Sequence, residues 1–554
     1  MHQKVRRPRM RCPYRLSTLA VAATLVHLHA PTQAMDIPTG NPDLRFRIDN
    51  TVRYTAAARV KERSPALATT VFGPTPGTFV GTNNINQDDG DNNFNRGIVS
   101  SRFDLLSEMD FAYKGLGARV VAAAWYDQAY NRGNDNTTTT ANKLGPANEF
   151  LESTRRLMGR KAEFLDAFVY GGFEVGGLPV NLRLGRHTLL WGESLFFGAN
   201  GIAGGMAPID VIKATSVPNS TFKEIGMPTG KLSGQVQLSQ DTAVGAYLAY
   251  EWKPSRLLPT GAYLSSGDPL GAGGEVLRAG PTVLTRAADA APPDSGQGGV
   301  QLRVRADSID TDFGFYAIRF HALTPSNNNF NGAPPPAGTQ YRFLYHEGVK
   351  AFGVSAARTF DNWGLAAEAS YRQNAPLASA PQARNGFVFD NDQNPGYAVG
   401  ETAHVQFSWL ASLGPSFIAK EASFNGEIAW NTRVKFTRNE TMANANATRS
   451  ATAIRAVYTP TYRQAIAGLD LSPSVGLGYA WGKSSALGPG FGVDKGGDLS
   501  LGLGGVYLGV WNVNLNYVVY LGPEGGPNDN AGVAQFKQAN KDRNFVSLSL
   551  RTSF

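Results

Sequence analysis

The sequence predicts an all-β protein: a transmembrane, antiparallel β-barrel of the outer-membrane type, with about 18 strands (range 14 to 18) and loops that occlude its lumen. Three observations predict this class. Apolar and polar residues alternate with a period of two along the chain, the gaps between these segments are alternately long and short, and the last segment ends in an aromatic residue. We therefore expect residues 35–554 to form one closed sheet.

The composition excludes two other classes. Charged residues make up 17% of the 554 residues, below the roughly 25% of soluble proteins. Mean hydropathy is −0.24, which excludes a bundle of transmembrane helices, because each would need about 20 consecutive apolar residues. A wall that faces lipid on alternate residues accounts for both values.

The amino terminus has the three parts of a secretory signal peptide, residues 1–34. Six basic residues precede or border an apolar run from Leu16 to Leu28, and small and polar residues follow to Ala34, near which we expect cleavage. Removing the segment leaves 46 basic and 44 acidic residues, so the formal charge of +8 falls to +2 and no nucleic-acid partner is expected. The single cysteine, Cys12, leaves with it, which excludes disulfides and thiol chemistry from the mature chain.

The alternation assigns one face of each strand to the lumen. In the first strand Leu44, Phe46 and Ile48 share the apolar face, and charged residues occupy the positions between them. The same pattern recurs near residues 102–113 and 364–372. The charged residues predicted to face the lumen are Arg45, Arg47, Arg53, Arg102, Asp104, Glu108, Asp110, Glu368 and Arg372. They could form a charged path for solute or ion pairs that brace the wall.

Connection lengths distinguish a membrane barrel from a soluble sandwich or propeller, whose connections are mostly short and similar. Nine long gaps alternate with eight short ones, which gives 18 strands and places both termini on the periplasmic side. The long gaps, predicted to be extracellular loops, fall at 61–98, 131–160, 191–230, 253–297, 322–345, 374–402, 437–449, 484–496 and 522–543. Their Asn-, Thr- and Pro-rich composition fits solvated connectors. The alternative is that some of these loops fold into the lumen.

The carboxyl terminus carries the most specific single signal. Leu548, Leu550 and the terminal Phe554 share one face of the last strand. A final strand that ends in an aromatic residue resembles the signal read by the barrel-assembly machinery of bacteria. We therefore expect that machinery and outer-membrane lipid as partners.

Four segments in the middle of the chain resemble a known family. They are LGRHTLLWGESLFFG at 184–198, PID at 208–210, EIGMP at 224–228 and LPTGAYLSSGD at 258–268. They resemble the proteobacterial outer-membrane family of unknown function designated DUF1302. The resemblance implies a barrel in the envelope, working with an outer-membrane lipoprotein-like companion and an inner-membrane exporter of the resistance-nodulation-division (RND) type. The family provides no catalytic residue that could be carried over.

The same region contains residues of types that are unusual in an exposed loop. They are Arg186, Trp191, Glu193, Asp210 and Glu224. A loop folded inward could pair Arg186 with Glu193 or Asp210 and insert Trp191 into the lumen. We hypothesise an internal constriction at residues 186–228; an extracellular cap packed on itself is the alternative.

These observations predict an outer-membrane channel or transport-associated barrel for small molecules, hydrophobic ones included, passive or working with envelope partners. A structural or adhesive barrel is the alternative. An outer-membrane esterase or lipase would need His187 and Ser194 to meet. The chain shows no nucleotide-binding motif or zinc-protease helix, so we expect no enzyme, cofactor or metal.

Overall fold

The computed structural model describes residues 35–71, 74, 83–279, 282–331, 340–384 and 386–554. The predicted signal segment 1–34 lies outside the described residues. Eighteen antiparallel strands form the wall. They are β1 (Leu44–Arg59), β2 (Gly97–Tyr113), β3 (Leu116–Asp127), β4 (Arg160–Val175), β5 (Leu178–His187), β6 (Thr229–Gln237), β7 (Thr242–Ala249), β8 (Gln297–Ala306), β9 (Thr311–Phe320), β10 (Val349–Phe360), β11 (Trp363–Pro376), β12 (Val399–Leu413), β13 (Glu421–Arg438), β14 (Ser450–Ile466), β15 (Leu469–Trp481), β16 (Gly496–Tyr507), β17 (Trp511–Leu521) and β18 (Phe545–Ser553).

The sheet closes on itself, as predicted. Strand β1 pairs with β2 along one edge and with β18 along the other, where Tyr54 lies opposite Leu550. Closure leaves no wall strand with an unpaired edge, which is the condition for a β-structure in lipid. The predicted count of 18 strands is confirmed. No helix among the described residues is long and apolar enough to cross a membrane.

Tight turns join the strands at one end of the barrel. The β2–β3 turn has Lys114 and Gly115 at φ 46° and 87°, and the β4–β5 turn has Gly176 and Gly177 at φ 58° and 80°. Two consecutive positive φ angles match the two-residue hairpins that suit the twist of paired strands. The long connections therefore all lie at the opposite end.

The two faces of the wall differ in the way the alternation predicts. Large apolar side chains on the outer face are exposed, including Phe164 at 68%, Leu248 at 68% and Leu548 at 49%. Side chains on the inner face, such as Arg53 and Glu368, are buried at 3% exposure each. This is the pattern of a barrel whose exterior meets hydrocarbon.

The long connections are folded, and they pack on one another. Five short strands at Val276–Ala279, Thr282–Arg286, Asn327–Asn331, Gln340–Leu344 and Gln382–Arg384 form a second sheet outside the wall. The Asn- and Asp-rich stretch 84–93 is buried except at Asn86, which is half-buried. The interpretation of the long loops as solvated connectors is wrong for these segments, because their polar side chains bond with neighbouring loops instead of water.

A buried ion cluster ties the loops to the wall. Arg59, at the end of β1, lies 2.7 Å from Asp91 and 3.1 Å from Asp542, and all three side chains have zero exposure. Asp91 belongs to the connection before β2, and Asp542 to the connection before β18. The cluster therefore joins two loops where the barrel closes.

Replacing Arg59 with Met tests this cluster. We expect the free energy of unfolding to fall by about 3–5 kcal/mol, because Asp91 and Asp542 stay buried and lose their partner. Urea unfolding of the refolded barrel in liposomes measures it. The control Arg47→Met removes a pair with Asp49 whose arginine is 42% exposed, and should cost less than about 1 kcal/mol. Equal losses in the two variants would contradict this role.

Candidate functional site: a loop inside the lumen

The connection between β5 and β6 runs inside the barrel. We call residues 188–228 the lumen loop. Trp191 is 7% exposed, and its ring lies 5.2 Å from the ring of Tyr247 on β7 and 6.5 Å from that of Tyr316 on β9. Both tyrosines are buried on the inner face of the wall, whereas Leu248, next to Tyr247, is exposed on the outer face. Trp191 therefore packs against the inside of the wall.

A carboxylate on β13 binds the first turn of the lumen loop. Glu427 has zero exposure, and its Oε2 accepts the backbone N–H groups of Leu195 at 3.2 Å, Phe197 at 2.8 Å and Phe196. Hydrogen bonds to an ionised acceptor are about twice as strong as neutral ones. Three consecutive amides are thereby fixed to one point of the wall.

A second carboxylate, on β11, binds the loop at two places. Glu368 accepts the backbone N–H of Glu193 with Oε2 and that of Ile202 with Oε1, both at 2.7 Å. Gly192 has φ 94°, and a Cβ there would lie 2.2 Å from the Glu368 carboxylate. Glycine at this position therefore allows the loop backbone to approach the wall.

A polar layer continues the contact across β11, β12 and β13. Arg372 donates to the carbonyl groups of Ala199, Asn200 and Gly201 at 2.8–3.1 Å. The Asn200 Oδ1 lies 3.1 Å from His404 Nδ1 and 3.2 Å from Asn431 Nδ2. The loop residue Asn200 is thus bound by the inward side chains of three adjacent strands.

The second half of the loop binds the opposite part of the wall. Arg256 bridges Asp210 of the loop and Glu163 on β4, at 2.7 Å and 2.6 Å. Asp210 also accepts from the backbone N–H of Lys213 and caps the helix Val211–Ser216. These contacts place the middle of the loop against β4.

The loop returns to β6 past the closing strands of the barrel. Arg53 on β1 lies 2.8 Å from Glu224, which also closes a capping box with Thr221 at the start of the helix Phe222–Ile225. Asn219 donates to Ser549 on β18. The loop therefore spans the lumen from β13 to β1.

Four of the five residues singled out for a constriction lie in this loop inside the barrel: Trp191, Glu193, Asp210 and Glu224. Burial raises the pKa of Glu193 to about 7. The predicted pairing of Arg186 with Glu193 or Asp210 is wrong. Arg186 shares the outer face of β5 with Leu182 and Leu184, and its guanidinium binds Glu251 at 2.6 Å. The period of two directs its side chain away from the lumen.

The nine charged residues predicted to face the lumen all share the inner face with the loop contacts. Several of them pair: Arg53 and Arg102 with Asp104, and Arg47 with Asp49. These pairs brace the wall, which is the second of the two interpretations. Glu368 and Arg372 instead hold the loop, a role that neither interpretation included, and a charged path for solute stays a prediction.

The edge of the loop that borders β2 keeps charged groups in contact with solvent. Lys223 is 64% exposed and lies 3.1 Å from Glu108 on β2. Arg119 on β3 binds both Glu108 and Asp110. Tyr170 on β4 donates to Asp110 at 2.7 Å. This row of side chains lines the part of the inner wall that the loop leaves uncovered.

The hydrolase alternative required His187 and Ser194 to meet, and that pairing is wrong. His187 Nε2 lies 2.7 Å from the hydroxyl of Ser233, and its Nδ1 lies 3.1 Å from the carbonyl of Gly185. Ser194 accepts a hydrogen bond from Gln406 on β12. His187 therefore joins β5 to β6 within the wall, and Ser194 serves the contact between loop and wall.

The chain belongs to the family described as protein of unknown function (DUF1302), whose profile matches residues 15–554. The predicted family is thereby confirmed. None of the curated proteins matches the sequence.

Several solved outer-membrane proteins have a similar overall course of the chain. OccAB3 of Acinetobacter baumannii is 10% identical with a TM-score of 0.43, covering 92% of this chain and 99% of its own. OpdK of Pseudomonas aeruginosa, solved with vanillate, is 10% identical with a TM-score of 0.39, covering 92% and 98%. The A. baumannii outer-membrane channel DcaP is 10% identical with a TM-score of 0.36, covering 92% and 97%. Similarity at this level does not assign a function to this chain, so the function is inferred from the chain's own residues.

Substituting Glu427 with Gln tests the anchoring of the loop. Glutamine keeps one carbonyl oxygen but carries no charge and adds an NH₂ group that has no acceptor here, so the bonds to the amides of residues 195–197 weaken and these amides should exchange hydrogen about 10-fold faster. Hydrogen–deuterium exchange with mass spectrometry measures it. Glu401→Gln on β12 is the matched control, because that carboxylate binds Lys435 and Tyr371. Unchanged exchange at 195–197 in Glu427→Gln would refute the anchor.

Proposed function

We propose that the protein is an outer-membrane channel for small molecules, and that the lumen loop narrows its passage. The observation that carries the proposal is the binding of the loop to inward side chains on β1, β11, β12, β13 and β18, and through Arg256 to Glu163 on β4. An 18-stranded wall encloses an aqueous lumen unless chain fills it. Because the loop is bound to the inner wall at so many points, it stays inside the barrel and narrows the lumen.

The distribution of side chains supports passage along the β2 to β4 side of the lumen. The inward aromatic residues Tyr247 and Tyr316 are buried under the loop. The exposed groups beside the loop are charged, with Lys223 and Arg119 facing Glu108. A solute on this side meets charges of both signs. This supports small solutes that carry polar groups.

Solutes would cross such a channel by passive diffusion, which needs no energy source within the chain. Coupling to an RND-type exporter and to an outer-membrane lipoprotein-like companion is a proposal based on family membership alone. Export directed by residues 1–34 and assembly directed by Leu548, Leu550 and Phe554 likewise stay predictions. Leu548 and Leu550 lie on the outer face, where assembly factors and lipid can reach them.

Deleting the lumen loop tests the function. His187 and Thr229 are register partners on neighbouring strands, so a short Gly-Ser linker can replace residues 191–228 without straining the wall. We expect single-channel conductance in planar bilayers to rise about twofold or more, because an 18-stranded lumen is then unobstructed. Unchanged conductance would contradict the constriction.

The matched control shortens another long connection. Residues 440–447, between β13 and β14, are removed in the same way, and conductance should stay at the wild-type level. If neither the wild type nor the loop deletion conducts, the barrel is structural or adhesive and the proposed function fails.

A further inference from the structure

Three buried carboxylates converge within the long connections. Asp88 and Asp89 belong to the connection before β2, and Asp268 belongs to the connection before β8. Their exposures are 2%, 3% and 0%. One oxygen from each lies within 4.8 Å of those from the other two. Three acidic side chains are thus brought together from two loops that are far apart in sequence.

These carboxylates lack the partners that buried charges need. Each has one oxygen, Oδ1, without a hydrogen-bond donor. In the described part of the chain, no Lys or Arg nitrogen lies within 4.0 Å of any of the three carboxylates. The bonds they do make are to neutral groups: Asp268 accepts from the backbone N–H of Asp89 at 3.2 Å, and Asp89 from that of Asn142 at 2.8 Å. The side-chain amides of Asn92 and Asn136 bond to Asp88 and Asp89, and the nearest cations, Lys143, Arg278 and Arg543, act only from beyond ion-pair distance. Burying a carboxylate without a compensating charge is unfavourable in free energy, so the cluster should bind a cation or be protonated.

A fourth unpartnered oxygen belongs to a residue of a third loop that is hydrogen-bonded to the cluster. Asn142 has zero exposure, and its backbone N–H is the donor to Asp89. Its Nδ2 donates to Asn86 and to the carbonyl of Val276, while its Oδ1 has no partner. Amide oxygens join carboxylates as ligands of hard cations. This oxygen is neutral, so repulsion among carboxylates does not explain why it is left unpaired.

We propose that Asp88, Asp89 and Asp268, together with the side-chain oxygen of Asn142, bind a calcium ion that links three extracellular loops. Oxygen-only donors select a hard cation. Oxygens on opposite sides of Ca²⁺ stand up to about 4.6–5.2 Å apart, given bonds of about 2.3–2.6 Å. Mg²⁺ usually keeps several waters, which this nearly solvent-free cluster leaves little room for.

The site has a structural consequence distinct from conduction. It joins the connections 60–96, 128–159 and 250–296, and Asp91, two residues from Asp89, belongs to the buried ion cluster around Arg59. Calcium would therefore fix the loop layer to the closing strands. The rival is protonation, since burial raises the pKa of all three carboxyls, that of Asp89 to about 6.

Calorimetric titration with CaCl₂ distinguishes the two. The mature chain is refolded into detergent, which avoids lipopolysaccharide, itself a calcium ligand. We expect one site with Kd between about 10⁻⁶ and 10⁻³ M, and affinity lower by more than about tenfold in Asp268→Asn. Asp88→Asn with Asp89→Asn should abolish binding. Glu62→Gln, a 74% exposed carboxylate of the same loop as Asp88, is the control and should bind as the wild type does.

Limited proteolysis of the wild type gives a second readout that requires no variant. Calcium should slow cleavage in connections 128–159 and 250–296 relative to a chelator, and magnesium at the same concentration should protect less. Absence of calcium binding by the wild type at millimolar concentration overturns the proposal. So does unchanged affinity in a correctly folded Asp268→Asn.

Discussion

The arrangement of the lumen depends on one kind of interaction, in which carboxylates on the inner wall accept backbone N–H groups of an inserted loop. Glu427 and Glu368 together accept five such groups. Removing these acceptors would leave buried amides without partners, each at a cost of about 1–3 kcal/mol. Two charged side chains thereby make a segment of irregular backbone stable inside a barrel.

That anchoring relates the wall to the passage it encloses. Irregular backbone is tolerated at membrane depth only where protein or a water-filled cavity surrounds it, and the inner wall provides both. Aromatic rings and carboxylates fasten the loop on the β7 to β13 side, and Arg53 and Arg256 fasten it on the other. The uncovered surface between these two regions carries Lys223, Glu108 and Arg119. The buried residues that fix the loop are thus distinct from Arg119, which borders the passage, and the pair Lys223–Glu108 does both.

The wall could be predicted closely from sequence because it depends on local rules. A period of two assigns each side chain to a face, and alternating gap lengths count the strands. The same alternation shows why the Arg186 prediction failed. Arg186 occupies the same face of β5 as Leu182 and Leu184, and it was assigned to the loop because it stands next to the motif around Trp191. Applying the alternation through the end of β5 would have placed it outside.

The anchors of the loop could not be predicted in this way. Glu427 lies about 230 residues from the amides it accepts, and Glu368 about 170. Nothing in a local pattern pairs positions so far apart, and an inward glutamate on a strand looks the same whether it faces solvent, an arginine or a loop. Trp191 and Glu193 stand out in the sequence as unusual, whereas Tyr247 and Glu368, which contact them, are ordinary members of alternating strands.

The central claim is that the lumen loop borders the path of conducted ions, and modification of a single thiol at its exposed edge tests this most directly. In Lys223→Cys the mature chain has one thiol, because Cys12 lies in the predicted signal segment. Adding a negatively charged, membrane-impermeant thiol reagent during single-channel recording should produce a stepwise fall in current. Full labelling by mass spectrometry with no change in current would contradict the account.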